Sequence, residues 1–432
     1  MAGCRRFREL ALALSLLGSS SLARAQGEPS VPSQLPAQQE REEGEAEGIQ
    51  VSGLLQVDSV LFDQTSVDEL DPATRAPLNR DRFVLQRAWL RADAGLRYVH
   101  GLLIAEGSTA QGPALRLLAA ELSVFYPQPK APPLLELTLG LMLIPFGFET
   151  RELVTQRMFL EASSWVEALF PGRRDLGARL RGQFHFLRYA LAVMNGNPIA
   201  SASLPLRDPN RGKDLVGRLG VDDSLSSWLR VSGGVSALLG HGFHPGLAPT
   251  KDTITVRDTN EDGIVQQSEI QLIAGEPGRP SQNFDRRALN ADLAFAYALP
   301  VLGAGRVYGE VTWAANLDRA LFVPDPISSG KSARELGVMA ALRQSLTRHA
   351  ELGLRYDRYD PDRDANGRRG ARTVPYDATF STLGVALAWC TLSQLRFTLQ
   401  YDHRNNPLGR NRQGAPTTLA ADSLILRAQL EL

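Results

Sequence analysis

The chain has 432 residues, and its 47 lysines and arginines balance 47 aspartates and glutamates, so the formal net charge is zero. The lack of a basic surplus argues against a nucleic-acid-binding protein, and two cysteines are too few for a disulfide-rich scaffold or a four-cysteine zinc site. Charged residues make up 22% of the chain. This excludes a polytopic helical membrane protein, because each span of such a protein needs about 20 apolar residues in a row.

Residues 1–25 have the layout of a secretory signal peptide. A positive start at residues 5–8 precedes an apolar run at residues 10–18, which is too short to span a membrane. Residues 23–25, Ala-Arg-Ala, supply small side chains at the two positions that signal peptidase reads, so cleavage is expected before Gln26.

Residues 26–48 are rich in proline, glutamine and glutamate and have no apolar period, which predicts a disordered periplasmic tether. Residues 49–432 then form the folded part of the chain. In this part, apolar and polar residues alternate with period two in about sixteen segments, each broken by turn-forming residues. The segments lie near 49–62, 82–95, 96–107, 113–126, 134–144, 174–184, 187–197, 213–222, 228–240, 287–298, 305–317, 334–344, 348–358, 378–391, 394–405 and 421–432.

The connections between these segments differ systematically in length. Long connections follow odd-numbered segments, as at 63–81, 145–173 and 241–286, whereas short ones follow even-numbered segments, as at 185–186 and 392–393. An antiparallel barrel in an outer membrane has short periplasmic turns and long outer loops in this way. The pattern therefore predicts an all-β protein, a transmembrane antiparallel β-barrel of about sixteen strands.

The polar face of each segment fits the same architecture. A membrane barrel lines a wet lumen with polar residues and presents apolar residues to lipid, so each strand alternates. In residues 135–143, for example, the leucines at odd positions are expected on one face. The alternative is a secreted soluble barrel or jelly roll, which would turn its apolar face inward and need bulkier aromatic residues there.

Residues Gly140–Gly182 resemble the phosphate-selective porin family, typified by porins O and P. The residues that carry the resemblance are Gly140, Pro145, Phe146, Gly147, Glu149, Glu161, Pro171, Arg173, Arg174 and Gly177, followed by Asn195-Gly196 and by Lys213, Asp214, Gly217 and Arg218. The resemblance covers about residues 82–222. It implies a sixteen-stranded, homotrimeric, passive channel in the Gram-negative outer membrane that transports ions such as phosphate.

Residues 145–173 follow the fifth segment and are therefore expected to be the third outer loop. In porins of this size that loop folds inward and narrows the pore. Opposed charges in such a constriction would screen solutes by charge and dipole. The alternative is a loop that packs on the barrel wall through salt bridges without a role in selection. The candidate constriction residues are Glu149, Arg151, Glu152, Arg157, Glu161, Arg173 and Arg174.

Arginines are also predicted along the lumen wall, where the planar guanidinium suits phosphate because it donates two hydrogen bonds. They alternate with carboxylates, and the four lysines are scattered, so the lumen has a mixed charge. The sequence therefore leaves open both phosphate preference and general diffusion of small solutes. The candidate wall residues are Arg87, Arg91, Arg179, Arg181, Arg230 and Arg396.

Residues 258–269, DTNEDGIVQQSE, match the calcium loop D-x-[DN]-x-[DN]-G-x₅-E. A structural Ca²⁺ in the outer connection would be bound by oxygens at alternate positions of the loop, including one backbone carbonyl. An ordinary solvated turn is the alternative. The candidate ligands are Asp258, Asn260, Asp262, Ile264, Gln266 and Glu269.

Three classes of function compete for such a barrel. The first is a diffusion porin that contacts outer-membrane lipid and passes small solutes and anions. The second is an enzyme within the barrel, but the six histidines and scattered serines form no recognisable nucleophile motif, so no catalytic residue is expected. The third is a surface receptor or adhesin that acts mainly through the long, calcium-binding outer loop.

Overall fold

The computed structural model describes residues 48–62, 81–110, 113–126, 133–202, 204–257, 263–300, 303–369, 372–375, 378–410 and 416–432. The predicted signal peptide and nearly all of the predicted tether lie outside these residues and stay predictions. Among the described residues, no helix is both long and apolar enough to cross a membrane.

Sixteen antiparallel strands form one closed barrel. Each strand pairs with its neighbour in chain order, and the first strand closes the ring by pairing with the last, from Leu54↔Glu431 to Phe62↔Ser423. The predicted fold class and strand number are confirmed. The barrel strands are β1 (Gly48–Phe62), β2 (Arg82–Leu96), β3 (Val99–Ser108), β4 (Ala114–Tyr126), β5 (Leu135–Leu143), β6 (Arg174–Phe184), β7 (Leu187–Met194), β8 (Asp214–Ser226), β9 (Leu229–His244), β12 (Gln282–Leu299), β13 (Gly303–Ala315), β14 (Arg334–Ser345), β15 (Ala350–Asp360), β18 (Phe380–Leu392), β19 (Leu395–Arg410) and β21 (Ser423–Glu431).

The remaining elements lie in the long connections at one end of the barrel. They are the hairpin β10 (Thr253–Val256) with β11 (Ile270–Ile273), the hairpin β16 (Asn366–Arg369) with β17 (Arg372–Pro375), and β20 (Pro416–Ala420), which pairs with β19. Within the described ranges the helices are α1 (Ser164–Leu169), α2 (Pro326–Ser329) and three 3₁₀ turns (Glu149–Arg151, Val154–Gln156 and Gln267–Glu269).

The outer face of the barrel is apolar and the inner face is polar. Leu90, Leu219 and Leu239 are 62%, 62% and 61% exposed, although a soluble domain would bury most such side chains. Aromatic side chains such as Tyr98 and Trp228 lie exposed at the end with short turns, where outer-membrane barrels carry an aromatic girdle. This arrangement, apolar outward and polar inward, is the reverse of the soluble alternative.

The predicted alternation fails in one strand, β5. Leu135, Leu137 and Leu139 are exposed, but Leu141 and Leu143 are only 2% and 5% exposed and do not share their environment. Gly140 lies between the two groups with φ +126°, and a Cβ there would collide with the Ala120 carbonyl oxygen. This glycine conformation breaks the regular strand, so the prediction of one leucine face over residues 135–143 is wrong beyond Leu139.

Candidate pore constriction

Segment 144–173, which joins β5 to β6, is bound along its length to the polar inner face of the barrel. Its first anchor is Glu310 on β13, whose carboxylate accepts the backbone N–H groups of Phe148 at 2.8 Å and Glu149 at 3.0 Å. Gly147 N donates to Ser236 Oγ on β9 at 3.1 Å. A Cβ at Gly147 would lie 2.7 Å from Glu310 Oε2, so the close approach depends on glycine at this position.

The middle of the segment is anchored to strands on another part of the wall. Side chains of β14, β15 and β21 donate to its backbone carbonyl oxygens, and Gln400 Oε1 on β19 accepts Leu160 N–H at 2.7 Å. Because each contact satisfies a backbone polar group away from water, each stabilises the bound position of the segment by on the order of 1 kcal/mol. The donors and acceptors are Arg343 to Gln156 (3.3 Å), Arg355 to Glu161 (2.6 Å), Arg427 to Leu160 (3.3 Å) and Gln429 to Thr155 (3.2 Å).

Helix α1 gives the segment an apolar anchor. Trp165 is fully buried and belongs to a cluster with Phe146, Phe170 and Tyr359. Ser164, at the start of the helix, donates its hydroxyl to Asp357 of β15 at 2.9 Å. The cluster includes side chains of β7, β8, β9, β12 and β15, so the helix packs against that part of the inner wall.

The segment returns to the barrel wall through Gly172 and Arg173, both of which have positive φ. The Arg173 guanidinium donates to the carbonyl oxygens of Glu149 at 3.2 Å and Glu152 at 2.8 Å, which holds the two ends of the segment together. Strand β6 begins at the next residue, Arg174.

A cavity of about 290 Å³ lies between this segment and strands β1–β6. Its lining includes Glu152, Thr155 and Gln156 from the segment, and it reaches Leu432 at the end of the barrel that carries the short turns. Arg173 and Arg174 lie at the junction of segment and wall and also line it. The cavity therefore borders both the segment and the barrel wall.

The seven predicted constriction residues divide into two groups. Glu152, Arg157, Arg173 and Arg174 are buried beside or within the cavity, with 3.9 Å between Arg157 Nε and Glu152 Oε2. The other three help to hold the segment in place. Glu149 accepts the Ser163 backbone N–H, Arg151 donates to the Gly147 carbonyl, and Glu161 Oε1 lies 3.9 Å from Arg427 Nη2.

Arg157 differs from the other arginines in its surroundings. Its side chain is 6% exposed, yet neither Nε nor Nη2 has a hydrogen-bond partner among the described residues. Arg157 lies within electrostatic range of Arg173 and Arg87. The guanidinium groups of Arg87, Arg157 and Arg173 therefore lie near one another, with the carboxylates of Glu161 and Glu167 in the same range.

Acidic groups of the segment have perturbed pKa values. Burial raises the pKa of Glu152 above its usual 4.5, and the positive charge of Arg157 offsets only part of this. Burial also raises the pKa of Glu167, and the nearby negative charge of Glu161 adds to it. Both shifts favour the neutral acid, so the segment becomes more positive as the pH falls.

The six predicted wall arginines all lie on the polar inner face, and all are close to carboxylates. Each such pair cancels most of its own charge. The pairs are Arg87–Glu106 (3.2 Å), Arg91–Asp93 (2.6 Å), Arg179–Glu121 (3.5 Å), Arg181–Glu136 (2.8 Å), Arg230–Asp222 (2.7 Å) and Arg396–Glu351 (3.7 Å).

The sequence did not reveal the residues that hold the segment on the barrel wall. Glu310, Asp357 and Gln400 occupy ordinary inward positions of their strands, and nothing local distinguishes them from other polar residues of the lumen. Gly337 on β14 was also missed, although an inward glycine in a strand signals the close approach of another group. A Cβ at Gly337 would lie 2.5 Å from Trp165.

Most of the predicted calcium ligands lie outside the described residues. Asp258, Asn260 and Asp262 are not described, nor is the side chain of Glu269, whereas Ile264 and Gln266 are described and exposed. Across the described ranges, no three His, Cys, Asp or Glu side chains are grouped to hold a metal ion. The calcium loop stays a prediction.

Comparison with known proteins identifies the fold. No protein-family model matches the sequence, and no curated protein is similar to it. Solved structures do match. The outer membrane channel DcaP of Acinetobacter baumannii is 9% identical over 90% of this chain and 100% of that chain, with a TM-score of 0.54. OmpT of Vibrio cholerae, an outer membrane protein, matches as a loop-deletion mutant at 10% identity over 89% and 99% of the chains, with a TM-score of 0.51.

An anion-selective porin from Comamonas acidovorans is 10% identical over 89% of this chain and 98% of that chain, with a TM-score of 0.50. At such low identities the likeness shows a shared fold, which is a porin-type barrel. Together with the apolar outer face, this fold places the chain in an outer membrane.

Proposed function

We propose that the protein is a porin through which small hydrophilic solutes and ions, preferentially anions, diffuse passively across the outer membrane. The observation that carries the proposal is the cavity of about 290 Å³ between segment 144–173 and strands β1–β6, with Arg173 and Arg174 among its lining residues. A polar, hydrated lumen is what a sixteen-stranded barrel of this type encloses. Catalysis has no part in this function.

In this proposal, segment 144–173 is the inward-folded third loop and acts as the pore constriction. Its support is the set of contacts with β9, β13, β14, β15, β19 and β21, which are distributed over much of the inner wall. A loop held by backbone hydrogen bonds and a buried tryptophan keeps a fixed position, so it sets a constant size limit for solutes.

The anion preference follows from how the charges of the constriction are compensated. Arg173 donates only to backbone carbonyl oxygens, and Arg157 is 3.9 Å from its nearest described carboxylate, Glu152. Glu152 is the carboxylate whose pKa is raised by burial, so it offsets less charge than an ordinary glutamate would. Beside the partly neutralised Glu152, the charges of Arg157 and Arg173 make the local potential positive, which attracts anions and repels cations.

Phosphate is the anion that the resemblance of residues Gly140–Gly182 favours. Arginine suits it because the guanidinium fork matches two phosphate oxygens. We include a homotrimeric assembly in the same proposal, since the resemblance implies it.

Reversal potentials in planar bilayers test the proposal. With the purified protein in a KCl gradient, we expect an ohmic current whose reversal potential lies toward that of chloride, and added phosphate should lower the chloride current. Arg157→Gln keeps a polar side chain but removes the charge, so the reversal potential should move toward that of potassium. No ohmic current rejects the porin, and a cation-selective wild type rejects the anion preference.

The surface-receptor alternative is favoured by one feature, the hairpin β10–β11. It stands in the long connection after β9 and exposes the neighbouring pair Ile254 and Leu272, both at 67%. A surface role would require calcium at the predicted loop that joins the two strands. A protein that conducts normally with this connection deleted is a porin, in which the hairpin serves no transport role.

A further inference from the structure

The cavity beside segment 144–173 has apolar side chains on both of its walls, which a passage for hydrated inorganic ions does not need. Trp89, Leu102 and Ile104 line it from strands β2 and β3, and Leu153 and Val154 line it from the segment. Inward positions of a porin strand are ordinarily polar. The strand positions Trp89, Leu102 and Ile104 therefore depart from this pattern.

Trp89 is held in a fixed position on this wall. Its indole Nε1 donates to Glu106 Oε1 at 3.0 Å, and the ring packs against the buried cluster that contains Ile104 and Leu118. Glu106 is fixed in turn by Arg116, whose Nε donates to it at 2.7 Å. An aromatic ring that is held by a hydrogen bond and by packing loses little entropy when it contacts a solute.

Arginine side chains also line the same cavity. Arg91 is paired with Asp93 at 2.6 Å and Arg181 with Glu136 at 2.8 Å, so these two arginines are compensated. Arg173 also lines the cavity, and its hydrogen bonds go to backbone carbonyl oxygens. The cavity is thus lined both by apolar side chains and by the Arg173 guanidinium.

We infer that the preferred solutes are amphipathic organic anions that carry one aromatic ring, such as aryl carboxylates. The ring would lie along the Trp89 wall, and the carboxylate would face Arg173. A cavity of about 150 Å³ lined by apolar side chains holds benzene, so a volume of about 290 Å³ leaves room for a monocyclic carboxylate. This inference rests on the proposed porin function and specifies the solute class of the same passage.

Permeability ratios in planar bilayers test the inference, with benzoate and acetate as probes and KCl as the reference salt. Benzoate is the larger anion, so size alone makes it the slower one. We expect the wild-type channel to pass benzoate more readily than acetate. Trp89→Ala should lower the benzoate-to-acetate ratio by about fivefold or more, which is the range for loss of one aromatic stacking contact.

Two variants separate the role of the ring from its role in folding. Trp89→Phe keeps an aromatic face without the bond to Glu106 and should retain the benzoate preference. Trp313→Ala removes a tryptophan from β13 that is 45% exposed on the outer face, so it should leave the benzoate-to-acetate ratio unchanged.

The outcomes distinguish this inference from the function on which it rests. A protein without KCl current overturns the porin itself. A channel that conducts KCl but passes acetate more readily than benzoate, or whose ratio is the same in Trp89→Ala, remains a porin and overturns the inference.

Discussion

Gly337→Ala is predicted to displace segment 144–173 from the inner barrel wall while leaving the barrel intact. The added Cβ would lie 2.5 Å from both Cβ and Cγ of Trp165 and 3.1 Å from Cδ2, whereas carbon atoms in contact stay about 3.5–4.0 Å apart. Gly337 is held in the ladder between β13 and β15, so Trp165 and helix α1 must move. Overpacking of this kind costs about 1–3 kcal/mol. The ratio of molecules with the segment bound to the wall to molecules with it displaced then falls about 5- to 150-fold.

Single-channel recording measures this shift directly. We expect Gly337→Ala channels to have a higher mean conductance and more flicker than the wild type, and liposome swelling should show a larger size limit for sugars. Gly101→Ala is the matched control, because its added Cβ meets only Ala94 Cβ at 3.9 Å on the outer face. Unchanged conductance and size limit in folded Gly337→Ala protein would refute the idea that segment 144–173 narrows the pore.

Two further predictions concern pH and calcium. Burial raises the pKa of Glu152, so this side chain takes up a proton as the pH falls and the constriction becomes more positive. Anion selectivity in bilayers should therefore increase when the pH is lowered from about 8 to about 5. Glu152→Gln should be as selective at the upper pH as the wild type at the lower, and an equally steep pH dependence in the variant would exclude Glu152 as the titrating group. For the outer loop, calorimetry should show calcium binding to the wild type with a dissociation constant of about 10⁻⁴–10⁻³ M and none to Asp258→Ala, while identical heats in both would rule out the site.

The barrel could be predicted from sequence because its determinants are local and repeated. Every strand carries the period-two pattern, and the connections alternate in length, so the strand number follows without any knowledge of contacts. The one failure, at Leu141 and Leu143, comes from the left-handed conformation of Gly140, which one glycine in a leucine-rich run does not reveal.

The constriction was predictable only in part. The charges of residues 149–174 mark a functional loop, but their partners lie far away in sequence: Glu149 N meets Glu310, and Leu160 N meets Gln400. Such pairings depend on barrel closure and on where the segment crosses the lumen. For this reason the sequence could not show that Glu149, Arg151 and Glu161 help to hold the segment on the barrel wall, or that Arg157 and Arg173 lie beside Glu152.

Blocking of the channel through a cysteine placed in the cavity tests the central claim most directly. Gln156→Cys, in a Cys390→Ser background, puts a thiol on the segment at a position that lines the cavity. We expect a charged methanethiosulfonate reagent to abolish most of the current of this variant and to leave that of Leu219→Cys, on the outer face, unchanged. A Gln156→Cys channel that conducts fully after modification, with labelling confirmed by mass, would contradict the assignment of this cavity as the conduction path.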